Sequence, residues 1–168
     1  MIKNIFVLIC FVLLAGSLHA QTIWVVRHAE KSTAVLTTDP ELSETGKLRA
    51  EALTRLLETE KITQVYSTPF KRTRATVAGV ATGSDVEIRS YQNVSELAAT
   101  VSTHNAEEKI LIAGHSNTVP DILRALGAEF KPKDLSDEDY DYIFKIVRKD
   151  NRVTLTTKHY GAEHHARP

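Results

Sequence analysis

Thr22-Ile23-Trp24-Val25-Val26-Arg27-His28-Ala29-Glu30 passes within one short stretch from a run of β-branched and aromatic side chains to a cluster of ionisable ones. The run is too short for a helix and carries no helical spacing, so it reads as a buried strand. A histidine directly after such a strand has its backbone fixed by the sheet and its ring free to act. A neutral imidazole is a good nucleophile at physiological pH, and Arg27 beside it offers a planar fork of donors for phosphate oxygens.

Outward from this stretch, strands and helices alternate. Ser43-Glu44-Thr45-Gly46 reads as a helix start with Ser43 as N-cap. Leu48, Ala52, Leu53, Leu56 and Leu57 form the expected apolar stripe of that helix. Further strands are expected over 62–66, 86–88 and 109–114. Further helices are expected from Pro69 to about 81, a short one around 94–101, and one over 118–126 with Gly127 capping its end. Residues 142–148 and 152–157 alternate around Asp150-Asn151 as a hairpin does. The pattern predicts an α/β fold, a three-layer α/β/α sandwich with a mostly parallel central sheet and a late antiparallel hairpin.

In such folds ligands bind beyond the carboxyl ends of the strands. Three polar pairs directly follow apolar strands: Arg27-His28, Ser67-Thr68 and His115-Ser116. They are expected to converge on one rim. Ser67-Thr68-Pro69-Phe70-Lys71-Arg72-Thr73-Arg74 puts basic residues in the first turns of a helix. The helix dipole disfavours cations there, so a bound anion is the natural explanation. Arg72 is the expected phosphate ligand, with Lys71 and Arg74 on a solvated face. Gly114 permits a sharp exit from its strand, so His115 can point at the rim and stabilise charge in a transition state. The run Asp137-Glu138-Asp139-Tyr140-Asp141 reads as solvated and lacks the ligand spacing of a calcium loop. His159, His164 and His165 lie in a polar C-terminal tail; two adjacent histidines can bind a metal adventitiously, but the tail reads as frayed.

These motifs, taken in order, resemble the histidine phosphatase superfamily in its phosphoglycerate-mutase-like branch. The nucleophile motif reads Arg27-His28-Ala29-Glu30, and the helix start Leu42-Ser43-Glu44-Thr45-Gly46. The arginine segment reads Ser67-Thr68-Pro69-Phe70-Lys71-Arg72-Thr73-Arg74-Ala75-Thr76, and the late motif His115-Ser116. The resemblance implies a metal-independent phosphatase that needs no cofactor. His28 would form a phosphohistidine intermediate, and Arg27, Arg72 and His115 would surround the phosphoryl oxygens. Ser116, Asn117 and Glu30 would line the substrate site. Glu96 lies where the family often places its general acid, and Glu30 is the other carboxylate near the site. Small relatives acting on phosphohistidine proteins do without such an acid. With a carboxylic donor, the rate would peak at mildly acidic to neutral pH. Ala34 stands where true mutases carry an asparagine, so a phosphatase is preferred to a mutase. A second reading is a non-catalytic phosphate-binding or sensor module of the same fold.

Composition agrees with one globular domain: 168 residues, 42% hydrophobic and 25% charged. Residues 1–20 carry Lys3, an apolar run from Ile5 to Leu14 and a small-residue site ending at Ala20. This is the pattern of a secretory signal peptide, leaving 21–168 as the phosphatase domain, exported to the periplasm or secreted. The apolar run is shorter than a spanning helix needs, so no membrane anchor is expected after cleavage. The single cysteine, Cys10, lies within the leader, so the mature chain has no disulfide and no thiol nucleophile. With 21 basic and 21 acidic residues there is no basic excess to mark a nucleic-acid binder. The expected partner is a phosphorylated small molecule or a phosphate on a protein or cell-envelope component.

Overall fold

The structure is a computed structural model, which describes residues 20–34, 36–150 and 152–166. Apart from Ala20, the expected leader lies outside the described residues. Strand β1 (Gln21–Arg27) leads to helix α1 (Glu44–Leu57), β2 (Gln64–Ser67) to α2 (Lys71–Gly83), and β3 (Ile88–Ser90) to α3 (Val94–Ser102). Strand β4 (Lys109–Gly114) then leads to α4 (Thr118–Ala125), and the hairpin β5 (Tyr142–Lys149) and β6 (Arg152–His159) follows. The sheet runs β3-β2-β4-β1-β5-β6. Its first four members are parallel, and β5 and β6 are antiparallel additions. This is the expected α/β/α sandwich.

The uninterrupted apolar runs of β1 and β4 follow from helices covering both faces of the sheet. Ile23, Val25, Ile110 and Ile112 pack on one side with Leu97 and Val101 of α3 and Val119 and Ile122 of α4. Trp24, Val26, Leu111 and Ala113 pack on the other with Leu53 and Leu57 of α1 and Val77 and Val80 of α2. Because side chains alternate across a strand, the two cores draw on alternate residues of the same two strands. The hairpin turns through Asp150, whose φ of 49° lies in the left-handed region that an aspartate tolerates better than most residues.

Three expectations are corrected. First, the stripe of α1 is rotated: Leu48 and Leu56 are 63% and 47% exposed, and the buried face is Gly46, Arg49, Leu53 and Leu57. Arg49, outside the expected stripe, faces inward because it has a buried carboxylate to meet. Second, α2 begins at Lys71 with Phe70 as N-cap, so Pro69 precedes the helix instead of opening it. Phe70 has no capping side chain, and Asp39 Oδ1 accepts from the Lys71 N–H at 3.0 Å in its place. Third, the end of the chain is docked. The His164 carbonyl accepts from the Tyr140 N–H at 2.9 Å, and Asp139 Oδ1 accepts from the Ala166 N–H at 3.1 Å.

The loop after β1 is pressed onto the start of α1. The Ser43 N–H donates to the Glu30 carbonyl at 2.9 Å, and Ser43 Oγ caps the helix by accepting from Gly46 N–H at 3.1 Å. A Cβ on Gly46 would lie 2.2 Å from the Glu30 carbonyl oxygen, a backbone atom that cannot swing aside. Gly83, at the end of α2, has open space around its Cβ direction. Gly46→Ala is therefore expected to lower the unfolding free energy by about 1–3 kcal/mol. Gly83→Ala should be neutral or stabilising by up to ~1 kcal/mol. Urea denaturation of both variants tests this, and equal stabilities would contradict the close approach.

Candidate active site

Strands β2, β4 and β1 are adjacent in the sheet, so the residues leaving their carboxyl ends meet. The His28 N–H donates to the Gly114 carbonyl at 2.8 Å, extending the β1–β4 ladder by one residue. The rings of His28 and His115 lie edge to face with centroids 5.2 Å apart. Thr68 Oγ1, leaving β2, is 3.0 Å from His115 Nε2. Phe70 packs edge-on against His115 at 5.3 Å, and the Arg72 guanidinium lies 4.5 Å over the Phe70 ring. Arg27, His28, Arg72 and His115 are thus brought to one rim. His28 is only 5% exposed, buried among its neighbours rather than standing free.

Its Nδ1 lies 2.8 Å from the Ala29 carbonyl. A carbonyl can only accept, so Nδ1 carries the proton and Nε2 keeps its lone pair. Burial, followed by the charges of His115, Arg27 and Arg72, pushes His28 down to about 3, against the pull of the Ala29 hydrogen bond. Burial, with Arg72 and Arg27, pushes His115 down to about 4. Both rings are neutral across the physiological range.

The two arginines are each short of a partner. Arg27 donates through Nη1 to the Ser136 carbonyl at 2.7 Å and through Nη2 to Tyr140 Oη at 3.2 Å, with its guanidinium 3.9 Å over the Tyr140 ring. Arg72 Nη1 is 3.7 Å from Asp39 Oδ1. The Nε atoms of both are buried and unpartnered. An unmet buried donor costs about 1–3 kcal/mol, more for a charged group, so two at one rim mark a place for an anion.

Residues 23–110 match the family model of the histidine phosphatase superfamily, branch 1. The chain belongs to this superfamily. It is 34% identical over 77 residues to phosphoserine phosphatase 1 of Hydrogenobacter thermophilus, covering 43% of this chain and 36% of that protein. The chain thus spans about a third of the length of this curated relative. Among solved structures it resembles one described as a putative phosphohistidine phosphatase SixA from Nakamurella multipartitia, with a TM-score of 0.62 and 23% identity over 85% of this chain and 98% of that one. It also resembles a protein histidine phosphatase SixA complexed with tungstate, with a TM-score of 0.67 and 16% identity over 82% and 96% of the two chains. These likenesses establish a shared fold.

Glu30 is 7% exposed. Both its oxygens accept from Arg49 Nε at 3.0 Å, and Oε1 also accepts from Arg49 Nη2 and His164 Nδ1, each at 2.8 Å. Burial raises its pKa, but the bonds from Arg49 and His164 outweigh this and hold it below the ordinary value. These bonds hold Glu30 ionised and tie it to α1 and the tail. Glu96 is exposed in the first turn of α3. Its backbone N–H donates to Asn93 Oδ1 at 2.8 Å, and its carboxylate accepts from Asn93 Nδ2 at 3.2 Å, a reciprocal cap. Ser116 is half-buried and holds the Leu135 N–H through its carbonyl, while Asn117 is exposed at the N-cap of α4. Lys71 and Arg74 are exposed.

Arg49 and Tyr140 were missed. Arg49 had a signal, since it falls three residues after Gly46 and four before Leu53 on one helix face. Tyr140 had none, because the acidic run around it looked solvated. The run is solvated only in part: Asp137 and Glu138 are exposed, whereas Tyr140 is 9% and Asp141 1% exposed.

The depressed pKa values carry a sign. A histidine held neutral by the fold must charge on unfolding. Its contribution is therefore complete above pH 6.5 and is lost as pH falls from there through about 4 for His115 and about 3 for His28. Imidazole 15N shifts followed from pH 7 to 4, assigned with single variants, should show both rings still neutral at pH 5. Titration of either near 6.5, the value of a free histidine, would contradict the buried, cationic setting.

Proposed function

We propose that the protein is a metal-independent phosphatase that works through a phosphohistidine on His28. The observation that carries this reading is the pair of unpartnered, buried Nε donors of Arg27 and Arg72 beside a histidine whose Nε2 lone pair is free. In the first step Nε2 attacks phosphorus in line and forms the P–N bond, while the bond from phosphorus to the leaving group breaks. In the second, water attacks phosphorus, the P–N bond breaks, inorganic phosphate leaves and a water proton is released. Arg27 Nε and Arg72 Nε donate to the equatorial oxygens, and Thr68 Oγ1 and His115 Nε2 lie beside them as a further hydrogen-bonding pair. Two fixed cations oriented before the reaction supply the charge stabilisation that dominates phosphoryl transfer.

The site offers little help to the leaving group. Glu30 is ionised and committed to Arg49, Glu96 is paired with Asn93, and a neutral His115 is a weak proton donor. Substrates whose leaving group departs without a carboxylic proton fit best, namely aryl phosphates and phosphoramidates such as phosphorylated histidine side chains. The names of the SixA neighbours and of the phosphoserine phosphatase relative support a phosphorylated amino-acid side chain as the substrate class. The leader pattern of residues 1–20 supports action outside the cytoplasm.

Incubating the mature protein with an aryl phosphate in the presence of chelator, beside His28→Ala, tests the nucleophile. Wild type should release phosphate and yield an acid-labile, alkali-stable phosphoryl adduct. His28→Ala should do neither while still binding phosphate. Phosphate binding by wild type without release or adduct would make the protein a binding module instead. A leaving-group series tests the second claim. The rate should fall steeply from aryl to alkyl phosphates, stay high for a phosphoramidate, and be unchanged by Glu96→Gln. A kcat/KM insensitive to the leaving group, which reports the first step alone, would mean that a positioned acid exists.

A further inference from the structure

Away from the reacting rim, two histidines turn toward one buried carboxylate. Asp141 immediately precedes β5, and its side chain is 2% exposed. His159 ends β6 and places Nδ1 3.0 Å from Asp141 Oδ1. His165, in the docked tail, places Nδ1 2.7 Å from Asp141 Oδ2. One ligand atom from each residue lies within 4.8 Å of the others. The two imidazole rings have centroids only 4.4 Å apart and are inclined at 40°.

The carboxylate is held for this task. Its Oδ2 also accepts from the His164 N–H at 3.1 Å, and its own carbonyl accepts from the Tyr160 N–H at 2.9 Å. Such outer hydrogen bonds fix the orientation of a ligating group. The Tyr142 ring packs at 4.5 Å from His159 and 5.7 Å from His165, which limits the rotation of both rings. The two Nδ1–H groups now donate to Asp141. A metal ion would instead take the Nδ1 lone pair of each neutral ring, with the ring proton moved to Nε2, so that both nitrogens and the carboxylate between them face the ion.

We propose that Asp141, His159 and His165 form a binding site for one divalent transition-metal ion, with zinc as the ion it suits. Two imidazole nitrogens and one carboxylate oxygen are a borderline donor set, which favours zinc, copper or nickel over magnesium or calcium. Three protein ligands leave one tetrahedral position for water, on the side where the His159 side chain is 47% exposed. Zinc–ligand bonds of about 2.0–2.2 Å put ligand atoms about 3.4 Å apart. The existing 2.7 and 3.0 Å contacts need to open only slightly.

The ion joins three segments distant in sequence: the 136–141 loop, the end of β6 and the tail. The same loop holds Arg27 through the Ser136 carbonyl and Tyr140, and the same tail holds Glu30 through His164. The ion is therefore a staple behind the phosphate pocket and touches none of the reacting atoms. The site is independent of whether His28 turns over a substrate.

The test uses the tag-free mature chain, stripped with chelator and titrated with zinc chloride by calorimetry. One equivalent should bind, the melting temperature should rise by about 5 °C or more at saturation, and magnesium chloride should do neither. Substituted cobalt(II) should give the visible absorption of a tetrahedral centre. His159→Asn and His165→Asn should each weaken zinc binding at least tenfold, while His104→Asn, at a separate contact with Tyr66 and Glu108, should not. Both ligand variants change partly exposed side chains, so folding is checked by circular dichroism, and either one alone is sufficient. Absence of stoichiometric zinc binding overturns the proposal, as do equal effects of magnesium or zinc binding unaltered in both folded ligand variants.

Discussion

The buried pair between Glu30 and Arg49 is the contact on which the site depends. A charge can be withdrawn from water only if its hydrogen-bonding capacity is met, and loss of one partner of such a pair costs about 3–5 kcal/mol. Here Arg49 spends Nε and Nη2 on Glu30, and Nη1 and Nη2 on the carbonyls of Tyr160 and Ala162 at 2.9 and 3.0 Å. Glu30 in turn holds His164. Three pieces of chain are fixed by this one knot: the loop that carries His28, the helix α1 and the C-terminal tail. Gly46 lets α1 come close enough to form it.

From that anchor, the neutral state of His28, the proposed nucleophile, follows by simple electrostatics. His28 is held at its backbone by the β1–β4 ladder and at Nδ1 by a carbonyl. Its neighbours are two guanidinium groups and a second imidazole, so burial and positive charge both oppose protonation. A histidine that stays neutral keeps its attacking lone pair available over the whole working range of pH. The cations that suppress its protonation are the same ones that would receive the phosphoryl oxygens, so one arrangement of charge meets both requirements.

The carboxylates divide by their surroundings. Glu30 is ionised because it is saturated with donors, and Asp139 and Asp141 are tied into the wall that supports Arg27 and the tail. Glu96 caps a helix. The tail that sequence would leave free in solvent instead becomes that wall, because Asp141 and Glu30 each need donors that His159, His164 and His165 supply.

Much of this was legible in the chain itself. The apolar runs of 22–26 and 109–114 could only be buried strands, and alternation with helical spacing left a parallel α/β sheet as the consistent architecture. The polar residues at the ends of those strands had to share a rim, because parallel strands all point the same way. Local chemistry therefore determined His28, Arg27, Arg72 and His115 as the candidate set. Tertiary structure alone decided what each carboxylate does, that Arg49 rather than Leu48 faces inward, and that the tail docks. The physical reason is that a charged side chain looks solvated in sequence, and its role is set by partners more than a hundred residues away, as Tyr160 and Ala162 are from Arg49. Apolar periodicity is a local record of burial, whereas the pairing of buried charge is written only in space.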